Sequence, residues 1–368
     1  MIKLSKSSIG NEEKDAVTKV LQDEYLGMGL KVQEFENKLE DFFSREAVCI
    51  VNGTAALHLA LEACQFPKQS EVLVPSLTYV ASFQAITAAG LKPIACDIET
   101  ENFLLDIKDA EKRITNKSVA IMPVHYSGGV GDLDELYNFA KVNKLRVIED
   151  AAHAFGSEYG NKRIGSFGDI VCFSFDGIKN ITSGEGGCIV TSDNKILDYV
   201  KDARLLGVVK DTEKRFNKSR SWEFDVNFQG WRYHMSNLMA AIGIEQLNKS
   251  DSFFKRRKEI ALAYDSLFAD NKKIIPLIRD YKNVVPHIYV VQIKDMEDRD
   301  TIKAELLEKG IEVGFHYQPN HLLSFYKNEN ISLPVTEKVY KELLTLPLHV
   351  DLSQDDISHI ASSLKQLL

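Results

Sequence analysis

Through the first half of this chain, apolar runs of strand length alternate with helical patterns, and no other feature restricts the fold as much. Residues 47–51, 71–74, 92–97, 119–124 and 146–150 read as strands. Helical patterns stand at 12–25, 32–43, 55–63, after Thr78, and at 133–142. In the second of these, Val32, Phe35, Leu39, Phe42 and Phe43 share one face. Strands apolar on both faces imply a mainly parallel sheet covered by helices on both sides. The rhythm then changes. Residues 169–175 and 187–191 are strand-like, but the polar, Gly-rich stretch between them is too short for a crossover helix, so one antiparallel strand is expected here.

Downstream, residues 210–222 are charged and aperiodic and read as an exposed loop. Residues 236–247 form a helix, and a second long helix runs through 264–267. A smaller α/β unit follows from about residue 271, with strands at 287–293 and 312–316 and helices at 300–309 and 355–368. The 368 residues therefore divide into a large domain, 1–245, and a small one, 246–368.

Composition narrows the partners. Lys plus Arg is 45 against 53 for Asp plus Glu, a net charge of −8, which disfavours a nucleic-acid role. Residues 72–91 carry no charge, but Pro75, Ser76, Thr78, Ser82, Gln84 and Thr87 interrupt them. A buried strand, loop and helix fits this better than a membrane span. The five cysteines (49, 64, 96, 172 and 188) form no CxxC pair, and most sit in apolar runs, as buried thiols of a reducing compartment do. The first residues have no apolar leader pattern, so a cytoplasmic location is expected.

Ligands of open α/β sheets bind beyond the carboxyl ends of the strands. Four polar constellations stand there. Asn52-Gly53-Thr54-Ala55 joins a strand to a helix, and suits either a phosphate on exposed N–H groups or a plain N-cap. Glu149-Asp150-Ala151-Ala152-His153 ends a strand; Asp150 there could hold a cationic ring nitrogen, or simply cap. Ser174, four residues of loop and then Lys179 deliver an amine from another strand end. A desolvated lysine has a depressed pKa and can form a Schiff base, although most lysines are solvated surface groups. Gly184-Glu185-Gly186-Gly187 implies backbone passing close to a ligand, or a hairpin turn. In this order they are the parts needed for pyridoxal phosphate: a phosphate cradle, an Asp for the pyridinium and a Lys for the aldehyde.

These motifs resemble the DegT/DnrJ/StrS family of sugar aminotransferases, which share the α/β fold type I of aspartate aminotransferases. The resemblance runs over nearly the whole chain. It includes residues 27–36, Asn52 to Leu57, Pro75 to Tyr79, Glu149 to Ala154, Phe173-Ser174-Phe175 with Lys179 and Gly184 to Gly187, His316-Tyr317, His321, and Leu346-Pro347-Leu348. It implies that Lys179 bonds the cofactor aldehyde and later moves a proton between carbon atoms, and that Asp150 pairs with the pyridine nitrogen. It places Tyr79 against the cofactor ring, His153 beside it, and Gly53, Thr54, Ala55 and Ser174 at the phosphate. His321 and Glu185 fall on the substrate side, and no metal is implied. One motif departs from the family. Where the family often has Gly-Tyr-Asn-Tyr-Arg-Met, this chain has Gly230-Trp231-Arg232-Tyr233-His234-Met235. Arg232 thus stands in for an Asn that reaches the partner subunit's phosphate.

The resemblance further implies a homodimer with shared active sites, pyridoxamine phosphate as the loaded cofactor, L-glutamate as amino donor, and a keto sugar, nucleotide-linked, as acceptor for surface-polysaccharide amino sugars. The alternative enzyme is a sugar dehydratase of the same family, in which His replaces the lysine; Lys179 argues against it. A catalytically silent binding homologue is the other alternative, against which stand all the filled chemical positions.

Overall fold

A computed structural model describes residues 1–368 apart from 220–221, 297 and 329. Its strands in chain order are β1 (Ala47–Ile50), β2 (Glu71–Pro75), β3 (Lys92–Cys96), β4 (Ser118–Ile121), β5 (Arg146–Asp150), β6 (Glu158–Tyr159), β7 (Lys162–Arg163), β8 (Ile170–Ser174), β9 (Gly187–Thr191), β10 (Ile274–Pro276), β11 (Tyr289–Ile293) and β12 (Leu343–Leu346). Seven of them make one sheet in the order β1-β9-β8-β5-β4-β2-β3. Only β9 runs against the rest, pairing antiparallel with both β1 and β8. This is the change of rhythm expected after residue 169. Strands β6 and β7 form a separate short hairpin.

Alternate residues of each strand feed two apolar layers. Cys49, Val171 and Phe173 join one cluster with Val32, Phe35, Leu39 and Phe43 of the helix Leu30–Phe43. Val48, Ile50, Ile170 and Cys172 join the other, with Leu57, Leu59, Leu61, Phe83 and Ile86 of the helices Gly53–Ala63 and Val80–Ala88. A sheet covered on both faces explains why its strands are apolar on both. The uncharged segment 72–91 is strand β2, a loop and a buried helix, and no helix among the described residues is long and apolar enough to cross a membrane.

The helix Ser250–Phe268 leads into a second, antiparallel sheet, β10-β11-β12. Its core includes Ile260, Tyr264, Phe268, Val291, Leu306, Leu344, Leu346 and Ile357. Two expectations fail. Residues 312–316 are not a strand: only Gly314 pairs with Thr345, as an isolated bridge. The chain leaves the sheet because its aromatics have other contacts, with Phe315 under the Arg299 guanidinium and His316 on a cavity wall. Residues 210–222 are not all loop either. A short helix, Asp211–Phe216, is held by an Arg215–Asp211 ion pair one turn apart (2.6 Å) and by Thr212 donating to the Lys201 carbonyl. Such a helix has no apolar stripe to betray it. Residues 220 and 221 of that stretch lie outside the described ones, and Trp222 at its end is 89% exposed.

Candidate active site

The carboxyl ends of the large sheet's strands open into a cavity of about 390 Å³, a size suited to a cofactor with part of a substrate. Two residues past β1 stands Asn52, whose Oδ1 accepts the Ala55 N–H at 2.8 Å and caps the helix Gly53–Ala63. Gly53 and Thr54 of its first turn line the cavity, and the first N–H groups of a helix have no partner within it. A side chain on Gly53 would meet Ser174 Cβ at 2.8 Å, so only glycine lets the β8 end come this close.

Asp150 ends β5 and is buried on the cavity floor. Ser82 donates to its Oδ2 at 2.7 Å and the Ala152 N–H to its Oδ1 at 3.2 Å. Burial raises the carboxyl pKa, while Ser82, Ala152 and the positive charge of Lys179 pull it down. Lys179 reaches the same cavity from the loop after β8. Burial lowers its amine to about 8, against the pull of Asp150 and Asp176 and with the help of Arg257. A buried carboxylate and a half-buried, easily neutralised amine therefore face one space, each tuned by desolvation.

His153 is buried and held well below the ordinary histidine range by burial and by Lys179. Its Nδ1 accepts the Ser127 N–H at 3.3 Å, which puts the ring proton on Nε2, 3.0 Å from the Tyr317 hydroxyl. Tyr79 is at the mouth, 59% exposed, with its ring centroid 5.6 Å from that of Tyr317. Glu185 lines the mouth as well, and burial followed by Asp176 raises its pKa.

Of the residues singled out from sequence, Gly53, Thr54, Tyr79, Asp150, His153, Ser174, Lys179 and Glu185 line this single cavity. Ala55 lies just behind, its N–H taken by Asn52. His321 and Arg232 are not on the wall. His321 is buried, with Nδ1 2.7 Å from Ser76 Oγ and Nε2 3.3 Å from Glu337. Together with Asn320, which donates to the carbonyls of Ser76 and Thr78, it ties the C-terminal part of the chain to the loop that carries Tyr79. Arg232 is exposed on the segment that bridges Leu205, away from this chain's own cavity. Sequence reasoning missed Ser82, Asp176, His287 and the role of Tyr317. Ser82 could have been found, because it lies in the first turn of the helix after Tyr79. His287 stands before an apolar run with nothing to mark it.

The donor set fits pyridoxal phosphate on the structure's own terms. It offers a glycine-dependent cradle at a helix start, a buried carboxylate for a pyridinium, and a half-buried, desolvated amine in one cavity. The fold and this site are those of a fold type I aminotransferase that depends on pyridoxal phosphate. The sequence profile of the DegT/DnrJ/EryC1/StrS aminotransferase family matches residues 7–365, and the chain belongs to that family. It is 35% identical to GDP-perosamine synthase of Escherichia coli O157:H7, over 98% of this chain and 96% of that one. It is 34% identical to a UDP-4-amino-4,6-dideoxy-N-acetyl-beta-L-altrosamine transaminase of Campylobacter jejuni, over 100% and 98%. A Streptococcus pneumoniae protein assigned as a sugar aminotransferase, solved in its PMP form, superposes with a TM-score of 0.92 at 31% identity, covering 100% of this chain and 99% of that one.

Proposed function

We propose that this aminotransferase moves an amino group from L-glutamate to the ketone of a nucleotide-linked sugar, for amino sugars of surface polysaccharides. The observation that carries this reading is the placement of half-buried Lys179 and buried Asp150 on one cavity with the Gly53–Ser174 cradle. The names of the Escherichia coli and Campylobacter jejuni relatives support the sugar-nucleotide class.

Pyridoxal phosphate, when bound, supplies an electron sink for the carbon that loses its proton. The N–H groups of Gly53 and Thr54 and the Ser174 hydroxyl would hold its phosphate, with Ala55 behind them in the same turn. Asp150, whose ionised form Ser82 and Ala152 favour against the burial that raises its pKa, would hold its ring nitrogen protonated. Lys179 Nζ would bond its aldehyde and, once released, take a proton from one carbon and return it to another. An amine near pH 8 is a competent base at neutral pH and remains a competent acid when protonated. His153, neutral and hydrogen-bonded to Tyr317, would confine the ring from the side, and Tyr79 would cover it at the mouth. Glu185, exposed beside the opening, is placed for the substrate.

The site is completed by a second copy in this reading. Trp222, Phe224 and Val226 are 89%, 62% and 47% exposed, close in sequence to the exposed Arg232. An apolar surface of this kind is costly to leave in water. Arg232 would then meet the phosphate in the partner's cavity, where its guanidinium could bind it bidentately. Light scattering should show a dimer, and an active monomer would overturn this part.

The test of the reaction is direct. Protein loaded with pyridoxal phosphate is given glutamate and a panel of keto nucleotide sugars, and amino-sugar product is read by mass spectrometry. The expected result is product from the native protein and none from Lys179→Ala. Equal product from both would overturn the reading.

A further inference from the structure

One buried imidazole faces the reactive amine and has no other side-chain hydrogen-bond partner among the described residues. His287 stands just before β11 and is 3% exposed. Its Nε2 lies 3.4 Å from Lys179 Nζ, while its Nδ1 is buried without a hydrogen-bond partner. The ring is held in place from two sides. His153 lies against it with ring centroids 4.4 Å apart, and Arg257 donates to the His287 carbonyl at 3.1 Å and to the Pro286 carbonyl at 3.4 Å.

The contact between the two nitrogens admits two arrangements. In one, a charged Lys179 donates to Nε2, and the ring proton sits on Nδ1, where no acceptor exists. In the other, the ring proton sits on Nε2 and points at the lone pair of an uncharged amine, leaving only a bare lone pair at Nδ1. A buried N–H without an acceptor is the rarer defect of the two. Burial, followed by nearby positive charge, holds the ring well below the ordinary histidine range and disfavours double protonation.

We propose that His287 is a positioning residue which, as its Nε2–H tautomer, favours the uncharged form of the Lys179 amine over the ammonium and directs it into the cavity. The inference rests on the reading of Lys179 as the reactive amine. The other groups that face Lys179 divide into two sets. Asp150 and Asp176, from the ends of β5 and β8, favour the ammonium. Burial and Arg257, from the helix Ser250–Phe268, oppose it, and His153 and His316 carry no charge to offset either carboxylate. His287 is the one group of this set that hydrogen-bonds the amine itself, so it ties the state of the amine to the position of β11.

The experiment reads the amine without turnover. The full-length protein, stripped of cofactor, is labelled with cyanate over a range of pH, and carbamylation of Lys179 is followed by peptide mass spectrometry. Only the uncharged amine reacts. The native midpoint should fall near 8. His287→Gln, whose side chain still presents an N–H, should leave it unmoved. His287→Leu keeps the volume but removes the donor, and should raise the midpoint by about one unit, a roughly tenfold slower labelling at neutral pH. If the Leu variant does not fold, His287→Asn serves instead, since its shorter amide cannot reach the amine. An unmoved midpoint in Leu or Asn would overturn the proposal, as would a Gln variant shifted as far as they are. A protein that labels as expected yet aminates no sugar would leave this inference standing and remove only the substrate reading.

Discussion

The two walls of the cavity are built on different principles. The wall from the large sheet consists of strand ends: Asp150 after β5, Ser174 and Lys179 after β8, and Gly53 and Thr54 after β1. It carries the ionisable groups of the reaction, on β5 and β8, which are paired on both sides. The opposite wall, His316 and Tyr317, with His287 against Lys179, offers neutral donors and acceptors, all with pKa values displaced by burial away from the charged form. Charge is thus placed on the side of the strand ends, and the other side supplies groups that need no counter-charge. Substitutions on the first wall should therefore abolish chemistry, and those on the second should retune it.

The sharpest way to break this comparison is Lys179→Ala, for which a loss of at least about a thousandfold in turnover is expected. Asp150→Asn removes the charge that keeps the ring nitrogen protonated and should cost about a hundredfold or more, with the cofactor still bound. Steady-state kinetics on the loaded protein measure both. If either falls no further than a Tyr317 variant, the division of labour between the walls is wrong.

The burial of Lys179 has a second, measurable consequence. Its folded-state pKa of about 8 lies below its ordinary 10.5. Below pH 8 the folded state holds an ammonium that the unfolded chain would solvate better, so folding carries a penalty. That penalty fades as pH rises from 8 to 10.5 and is gone above it. Lys179→Met in the cofactor-free protein should accordingly be more stable than native at pH 7, by about 3 kcal/mol at most. The gap should close between pH 8 and 10.5. Denaturant melts at several pH values check this, and a native protein more stable at every pH would refute it. A catalytic group that weakens the fold holding it is a common bargain at active sites.

Legibility in sequence follows the same divide. Strand ends announce themselves, because an apolar run stops at a polar residue; Asn52, Asp150 and Lys179 each stand at or soon after such a stop. The antiparallel β9 was legible from the shortness of the link before it. The second wall was not, since His287 belongs to the site only through the docking of β11 against the rest of the chain, a contact over 108 positions of sequence. Residues 312–316 misled for the related reason that their alternating pattern serves Arg299 and the cavity rather than a sheet edge. The helix Asp211–Phe216 escaped because ion pairing holds it where an apolar face would have shown.

On the second wall, Tyr317→Phe sharpens the comparison. The hydroxyl takes part in a 3.0 Å hydrogen bond with His153 Nε2, so its loss leaves a buried N–H unpaired but removes no charge. A drop of about tenfold in kcat/KM is expected, with the fold intact. A loss as large as that of Asp150→Asn would show that the neutral wall takes part in the chemistry itself.

The smallest effect on turnover is expected at His321, which the family resemblance places near the substrate and the structure places in a joint. Its backbone N–H donates to Ser76 Oγ at 3.1 Å, so the serine proton is free to point at His321 Nδ1, and the ring proton then sits on Nε2 toward Glu337. Both ring nitrogens are thus used inside the protein, on the loop that leads to Tyr79. His321→Ala should lower stability by about 1–2 kcal/mol through the unpaired serine and the small void. It should raise the sugar KM only slightly, because Asn320 still holds the carbonyls of Ser76 and Thr78. Thermal melts and the KM-against-kcat split separate the two roles. A large rise in sugar KM with unchanged melting would make His321 a substrate residue and give the C-terminal part of the chain a direct share in recognition.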